Sequence, residues 1–290
     1  MKPLAKLAGF AVGAGLIFAG AAFAGSVIDV HPGRPATNQA ANQGMGAMAA
    51  EADGHRAEKM AAQPVRGLAV SEKGLTLDLA RRTAPQGKPF ELAFRIMDRR
   101  GRTVRDFDAE HTKRMHLIVV RRDMTGFQHL HPTENADGTW SVPMTLPHAG
   151  SYRVFADFSV DDKPSTLADD LTVDGSVSSK ALPAPVQSVD VDRLRVSLTE
   201  GATKAGAESE LAFTVSRNGT PAAIQHYLGA KGHLVALRQG DLAFLHVHPD
   251  ENSLKFMATF PTAGEYRLFL QFKTDDGRLH TAAFTQEVTR

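Results

Sequence analysis

The pattern Phe-x-His-x-His-Pro-x-Glu-Asn occurs twice, as FQHLHPTEN from Phe127 and as FLHVHPDEN from Phe244. Two histidines one residue apart lie on the same side of an extended strand. A third histidine precedes each pair at the same distance, which gives His116, His129 and His131 in one copy and His233, His246 and His248 in the other. A short turn joins the two strands of each set, so each should form a hairpin. In the second copy Gly240-Asp241 suits a two-residue turn. Counting outward from it pairs Leu237 with Phe244, Val235 with His246 and His233 with His248. The same count in the first copy sets His116 against His131, with His129 two residues back on that face. Paired strand residues have Cβ atoms about 5 Å apart, so three such imidazoles can meet one ion at about 2.0–2.1 Å per bond.

Further histidines converge on these sets. His226 lies in the segment leading to the His233 strand, and His280 begins the last strand after TDDG. Both should approach the end of the domain where His233 and His248 lie. His111 occupies the comparable lead-in of the first copy, which has no counterpart of His280, so the second domain should hold the fuller site. Glu134 and Glu251 follow each second histidine by three residues, but Pro132 and Pro249 end the strand first. Turn-forming or solvated acids are the expectation there, and His148 should be solvated at the opposite end. A lone strand histidine is usually a satisfied polar residue. The same triad written twice favours metal binding over structural pairing.

The elements that must position these residues are strands. Alternating runs such as LTLDLA, FELAFRIMD, TWSVPMTL and SYRVFADFSV are separated by Gly, Asp and Pro clusters, with no long helical period. HLIVVRRDMTGFQHLHP from His116 aligns without a gap to HLVALRQGDLAFLHVHP from His233, and PHAGSYRVFADF matches PTAGEYRLFLQF. The recurring Pro-x-Ala-Gly-x-Tyr places Tyr152 and Tyr266 as tyrosine corners, in which the phenol bonds back to nearby backbone. The expected architecture is all-β: two tandem Ig-like sandwiches of seven to nine strands, over residues 67–175 and 189–290, joined by a linker over 176–188.

The 290 residues suit two domains, and 42% hydrophobic with 22% charged residues suits a globular core. A net charge of +1 without a basic block argues against nucleic acid as a partner. The absence of cysteine removes thiolate metal sites, cysteine nucleophiles and disulfide scaffolds. Residues 1–25 begin with Lys2 and Lys6 and continue as an uncharged apolar run. They read either as a signal peptide, cleaved at Ala22-Phe23-Ala24, or as a membrane anchor. Either reading puts the bulk of the chain outside the cytoplasm, secreted or anchored to the membrane through this segment alone. Residues 26–66 read as a flexible tether. Its Met45, Met48 and Met60, with His55, form a soft donor set suited to Cu(I).

EHTKRMHLIVVRRDMTGFQHLHP, DGTWSVPMTLPHAGSYRVFADF, YLGAKGHLVALRQGDLAFLHVHP and HTAAFTQEV together resemble actinobacterial secreted or membrane-anchored proteins with two Ig-like, His-rich domains, of the heavy-metal-binding type. The fold expected is also similar to copper-resistance-protein-C-like β-sandwiches. That class uses a ligand at the mature N-terminus, for which neither Gly25 nor the tether offers an obvious equivalent. The resemblance implies copper, and the spacing alone supports an imidazole-binding metal, zinc included. A copper-binding or copper-buffering protein is therefore expected, passing ions to a transporter or chaperone. The alternative is an Ig-like protein-interaction module with structural histidines. An enzyme ranks last. No Ser-His-Asp pattern, phosphate loop or carboxylate pair is evident, and the Glu and distant His of cupins have no match in spacing.

Overall fold

The computed structural model describes residues 65–200, 203–245 and 247–290, with Glu200 and His248 described by backbone alone. The leader, most of the tether with its three methionines, and His246 lie outside the described residues.

The described residues form strands and turns without a helix, arranged as two tandem Ig-like sandwiches. In the first, one sheet is built on Leu75–Leu79, Pro89–Met97 and Trp140–Thr145, and the other on Lys163–Val173, Gly150–Val160, His116–Arg121 and Gln128–Leu130. The second repeats the plan. Leu194–Glu200, Glu208–Arg217 and Lys255–Thr259 make one sheet, and Leu279–Val288, Gly264–Thr274, Gly232–Arg238 and Phe244–Leu245 make the other. Several two-residue strands bring the totals to ten and eleven, above the seven to nine expected. Both tyrosine corners are present. Tyr152 donates to the His148 carbonyl at 2.9 Å, and Tyr266 to that of Thr262 at 3.0 Å.

Two strands are buried along nearly their whole length, His116–Arg121 and Gly232–Arg238. Alternation explains why. Leu117 and Val119 point into the first sandwich beside Leu77, Phe94 and Trp140, and Leu234 and Ala236 point into the second. The intervening Ile118, Val120, Val235 and Leu237 instead meet one another's domains in a third core with Phe155, Phe244 and Phe269. The histidine-bearing sheets thus pack face to face. Phe127 stacks on Phe269 with ring centres 4.1 Å apart, and Phe155 meets Phe244 at 5.6 Å. In the repeat alignment Phe127 matches Phe244 and Phe155 matches Phe269, so one contact is made twice. That is the signature of a pseudo-two-fold, isologous interface.

The entry to the first sandwich runs through this seam. The Phe244 amide donates to the Arg66 carbonyl at 2.9 Å, and the Gly67 amide to that of Thr166 at 3.1 Å. A Cβ on Gly67 would lie 2.8 Å from the Phe155 ring and 2.9 Å from Phe244 Cβ, at a φ of +71°. Gly67→Ala should therefore destabilise by roughly 2 kcal/mol and lower the unfolding midpoint by about 4–8 °C. Gly87→Ala, with a φ of +65° and open space around it, should lose less. Equal losses in calorimetry would mean that the seam tolerates the methyl group.

Candidate metal centre

Each copy opens its histidine strand with the same local device. Glu110 and Lys113 exchange backbone hydrogen bonds of 2.8 and 2.9 Å around His111-Thr112, both at positive φ. Tyr227 and Ala230 do the same around Leu228-Gly229. The carbonyl of the first turn residue then receives an imidazole: His116 Nε2 lies 3.1 Å from Glu110 O, and His233 Nε2 lies 2.7 Å from Tyr227 O. A carbonyl only accepts, so Nε2 carries the proton in both rings and a neutral ring turns a bare Nδ1 the other way.

The first-copy hairpin has the expected register. Leu117 pairs with Leu130, Ile118 with His129 and Val119 with Gln128, so His116, His129 and His131 share the face turned to the second domain. Their ring centres are 4.8–5.4 Å apart, and one ring nitrogen from each can be chosen so that all three lie within 4.8 Å of one another. Two imidazoles on a tetrahedral ion have ring centres about 5 Å apart and bound nitrogens about 3.3 Å apart. His116 Nδ1 lies 3.1 Å from His129 Nε2. On its far side His129 Nδ1 lies 3.0 Å from Gln271 Oε1, a residue of the second domain. With that oxygen facing it, Nδ1 holds the proton, and a neutral His129 turns the lone pair of Nε2 towards that of His116. Two facing lone pairs need a proton or a metal ion between them. The third ring adds His131 Nε2, buried without a hydrogen-bond partner. Such an orphan costs about 1–3 kcal/mol. A proton between two nitrogens leaves His131 unserved, whereas an ion can take one nitrogen from each of the three rings.

His116 and His129 are buried and His131 is half-buried. His111, His116, His129 and His233 line a cavity of about 50 Å³ together with Glu110 and Asp157. The His111 ring lies 5.4 Å from that of His233 and 6.4 Å from that of His116, and His129 lies 6.3 Å from His233. Burial, followed by the charges of neighbouring His116, His131 and His233, holds His129 well below the ordinary imidazole range. Burial lowers His131 to about 4, with His116 and Lys113 adding to it. It also lowers His233 to about 4 against the opposing pull of the Tyr227 carbonyl. Burial pushes the Asp157 carboxyl up, while the Thr166 hydroxyl, 2.6 Å away, pulls it down.

Other expectations need correction. His280 does not approach His233. It pairs with Phe272 across the ladder, while His233 pairs with Gln271, so the two rings point to opposite faces of one sheet. His280 stacks on Phe272 inside the second sandwich, with Nδ1 2.8 Å from Asp192 and Nε2 2.9 Å from Thr274. His226 is exposed and outside the cluster. The second hairpin forms Leu237–Phe244 as counted, with Ala236–Leu245 beside it. His248 then pairs with Met257 in the other sheet, not with His233. Neither acid belongs to the histidine cluster. Glu134 is held by Arg105 at 3.0 Å and Arg114 at 2.7 Å in a short strand, rather than solvated, and Glu251 lies exposed in a turn. His148 is exposed, as expected. Sequence reasoning missed Gln271 and the two turn carbonyls. The aligned Asp157 and Gln271, each one strand over from its histidine, are the signal that was present.

A family model described as "Domain of unknown function (DUF8832)" matches residues 69–175 and again 188–290. No curated protein matches the chain. Among solved structures, Salmonella alpha-2-macroglobulin reacted with methylamine is similar at 15% identity and a TM-score of 0.28, over 79% of this chain and 15% of that one. The Yersinia pseudotuberculosis adhesin InvE is similar at 12% and 0.23, over 74% and 59%. The Escherichia coli adhesin FdeC is similar at 15% and 0.27, over 77% and 66%.

The imidazole shifts set an acid dependence for the metal-free protein. Unfolded histidines titrate near 6.5, and the folded His129, His131 and His233 titrate lower. As pH falls below about 6.5 the unfolded chain binds protons first, so stability is complete above that pH and is lost towards about pH 4. Asp157 works in the opposite sense, because the folded state keeps its proton longer. The three histidines should outweigh it. The urea midpoint should drop across this window, and His131→Asn should make the drop shallower. A flat profile would mean that the rings are not buried neutral.

Proposed function

We propose that the chain, which belongs to the DUF8832 family and carries its domain twice, binds one transition-metal ion through His116, His129 and His131. The carrying observation is that one ring nitrogen from each of the three rings lies within 4.8 Å of the other two, with His116 Nδ1 and His129 Nε2 facing each other at 3.1 Å. The residues supply what such a site needs. Glu110 O holds the far N–H of His116 and Gln271 Oε1 that of His129, an arrangement typical of ligating imidazoles. Lowered proton affinity at His129 and His131 keeps their lone pairs available.

Copper is the ion we favour, with zinc as second choice. A nitrogen-only donor set without thiolate follows the order in which Cu(II) binds more tightly than Zn(II), and the sequence resemblance points the same way. On this reading the protein buffers copper outside the cytoplasm, held there by its N-terminal segment, and exchanges it with a transporter or chaperone. It carries out no catalysis. The competing reading is an interaction module in which the cluster is structural. The outer contacts favour it, since His116 Nε2–H donates to the Glu110 carbonyl and His129 Nδ1–H to Gln271 Oε1, and one further proton shared between His116 Nδ1 and His129 Nε2 would complete the chain without a metal ion.

Metal uptake separates the two. Purified protein loaded separately with Cu(II) and Zn(II) should retain one ion through these residues. His129→Ala with His131→Ala should abolish that retention while the β-sheet circular dichroism persists, and His226→Ala should leave it unchanged. Proton competition falls near the lowered pKa values, so retention should persist to about pH 5 and fail towards pH 4. No uptake by the native chain, or unchanged uptake by the double variant, would favour the structural reading.

A further inference from the structure

The second domain contributes to a cluster whose three members all belong to the first. Gln271 reaches across the interface to His129, and its own amide nitrogen lies 3.4 Å from Thr281 Oγ1 on the adjacent strand. Gln271 and Thr281 are cross-strand partners, and both domains' sheets bury the contact. A carboxamide has one end that accepts and one that donates, so its orientation dictates where the facing imidazole keeps its proton. With the oxygen towards the ring, Nδ1 carries the proton and Nε2 turns a lone pair to His116 and His131. With the amide reversed, its N–H donates to Nδ1, the proton moves to Nε2, and that nitrogen donates to His116 Nδ1. In that arrangement His129 is not a ligand.

We propose that Gln271 is a positioning residue that selects the ligand-ready tautomer of His129 from the opposite domain, so that the ion site is complete only when the two copies are docked. The proposal rests on the metal reading above and adds the second domain to it. It also gives a role to a break in the pseudo-symmetry. The position matching Gln271 in the first copy is Asp157, whereas Gln271 gives its amide nitrogen to Thr281 Oγ1 and leaves its oxygen to His129 without burying a charge. Metal binding should then be linked to domain docking, because an ion bound only by the docked form stabilises that form.

The test uses the full chain with Zn(II), which is diamagnetic, in chelator competition, with ¹⁵N ring spectra of the histidines. Gln271→Glu presents only oxygen to the ring. It should bind at least as tightly as the native chain and show His129 protonated at Nδ1. Gln271→Met presents neither group and should weaken binding by about 10–100-fold, with the His129 tautomer redistributed. A purely structural role would lower the unfolding midpoint of both variants without separating their affinities or tautomers. If the native chain binds zinc and both variants bind it equally, or if Gln271→Glu binds more weakly, the positioning role is wrong and the metal reading survives. If the native chain takes up no zinc or copper through the triad, the metal reading itself fails. Should Gln271→Met not fold, the Gln271→Glu affinity and spectrum still decide.

Discussion

Phe127 on Phe269 and Phe155 against Phe244 are the same contact made twice, and the rest of the molecule is arranged around the surface they close. A sandwich normally buries one face of each sheet and leaves the other to water. Here the histidine-bearing sheet of each copy is covered on both sides, by its own sandwich and by the other copy. That second burial takes the imidazoles out of water and lowers their proton affinity. It also brings Gln271 to His129 and His233 beside His111. An isolated sandwich would present the same three histidines on an open, hydrated sheet, where neutral and charged rings differ far less in energy.

Much of this was legible in the residues. Strand alternation, the tyrosine corners and the register that sets His116, Ile118, His129 and His131 on one face follow from period-two patterning and turn counting. The docking of the copies was not read. Its trace is present in LIVV and LVAL, which are apolar at consecutive positions where a one-sided strand would alternate. His280 shows the limit of reasoning from loop proximity. Being at the correct end of a sandwich does not fix which face a ring occupies, and one step along the ladder separates Phe272 from Gln271. The second hairpin shows another. Turn chemistry sets the pairing next to Gly240, but it has no hold on residues further out, where His248 joins the Met257 strand.

The turns before the two histidine strands explain how one frame gives unlike halves. Both expose their first carbonyl to the same ring nitrogen, so the proton on His116 and on His233 is fixed by backbone that side-chain substitution does not alter. The residues at the turn tips are free to differ. In the second copy the tip is Leu228-Gly229, whose glycine adopts positive φ without strain. In the first it is His111-Thr112, and a β-branched residue at a φ of +70° is conformationally costly. That cost brings an additional imidazole over the cavity, where the second copy has an alkyl chain.

Asp157 and Gln271 show the same divergence one strand over. Each stands opposite the first histidine of its own copy and faces the other domain. At one position burial forces a carboxyl group to compete for its proton, with the Thr166 hydroxyl as its compensating donor. At the other, a neutral amide meets His129 with no desolvated charge. A buried carboxylate needs a cation or a set of donors, while an amide needs one partner of each kind. The two halves of the interface therefore make opposite electrostatic demands on whatever occupies the space between them. The first copy brings the three clustered imidazoles and both acids that line the cavity, Glu110 and Asp157, and the second brings the Gln271 amide and the His233 ring. Duplication supplied the symmetric frame, and substitution at these paired positions turned it into one asymmetric centre.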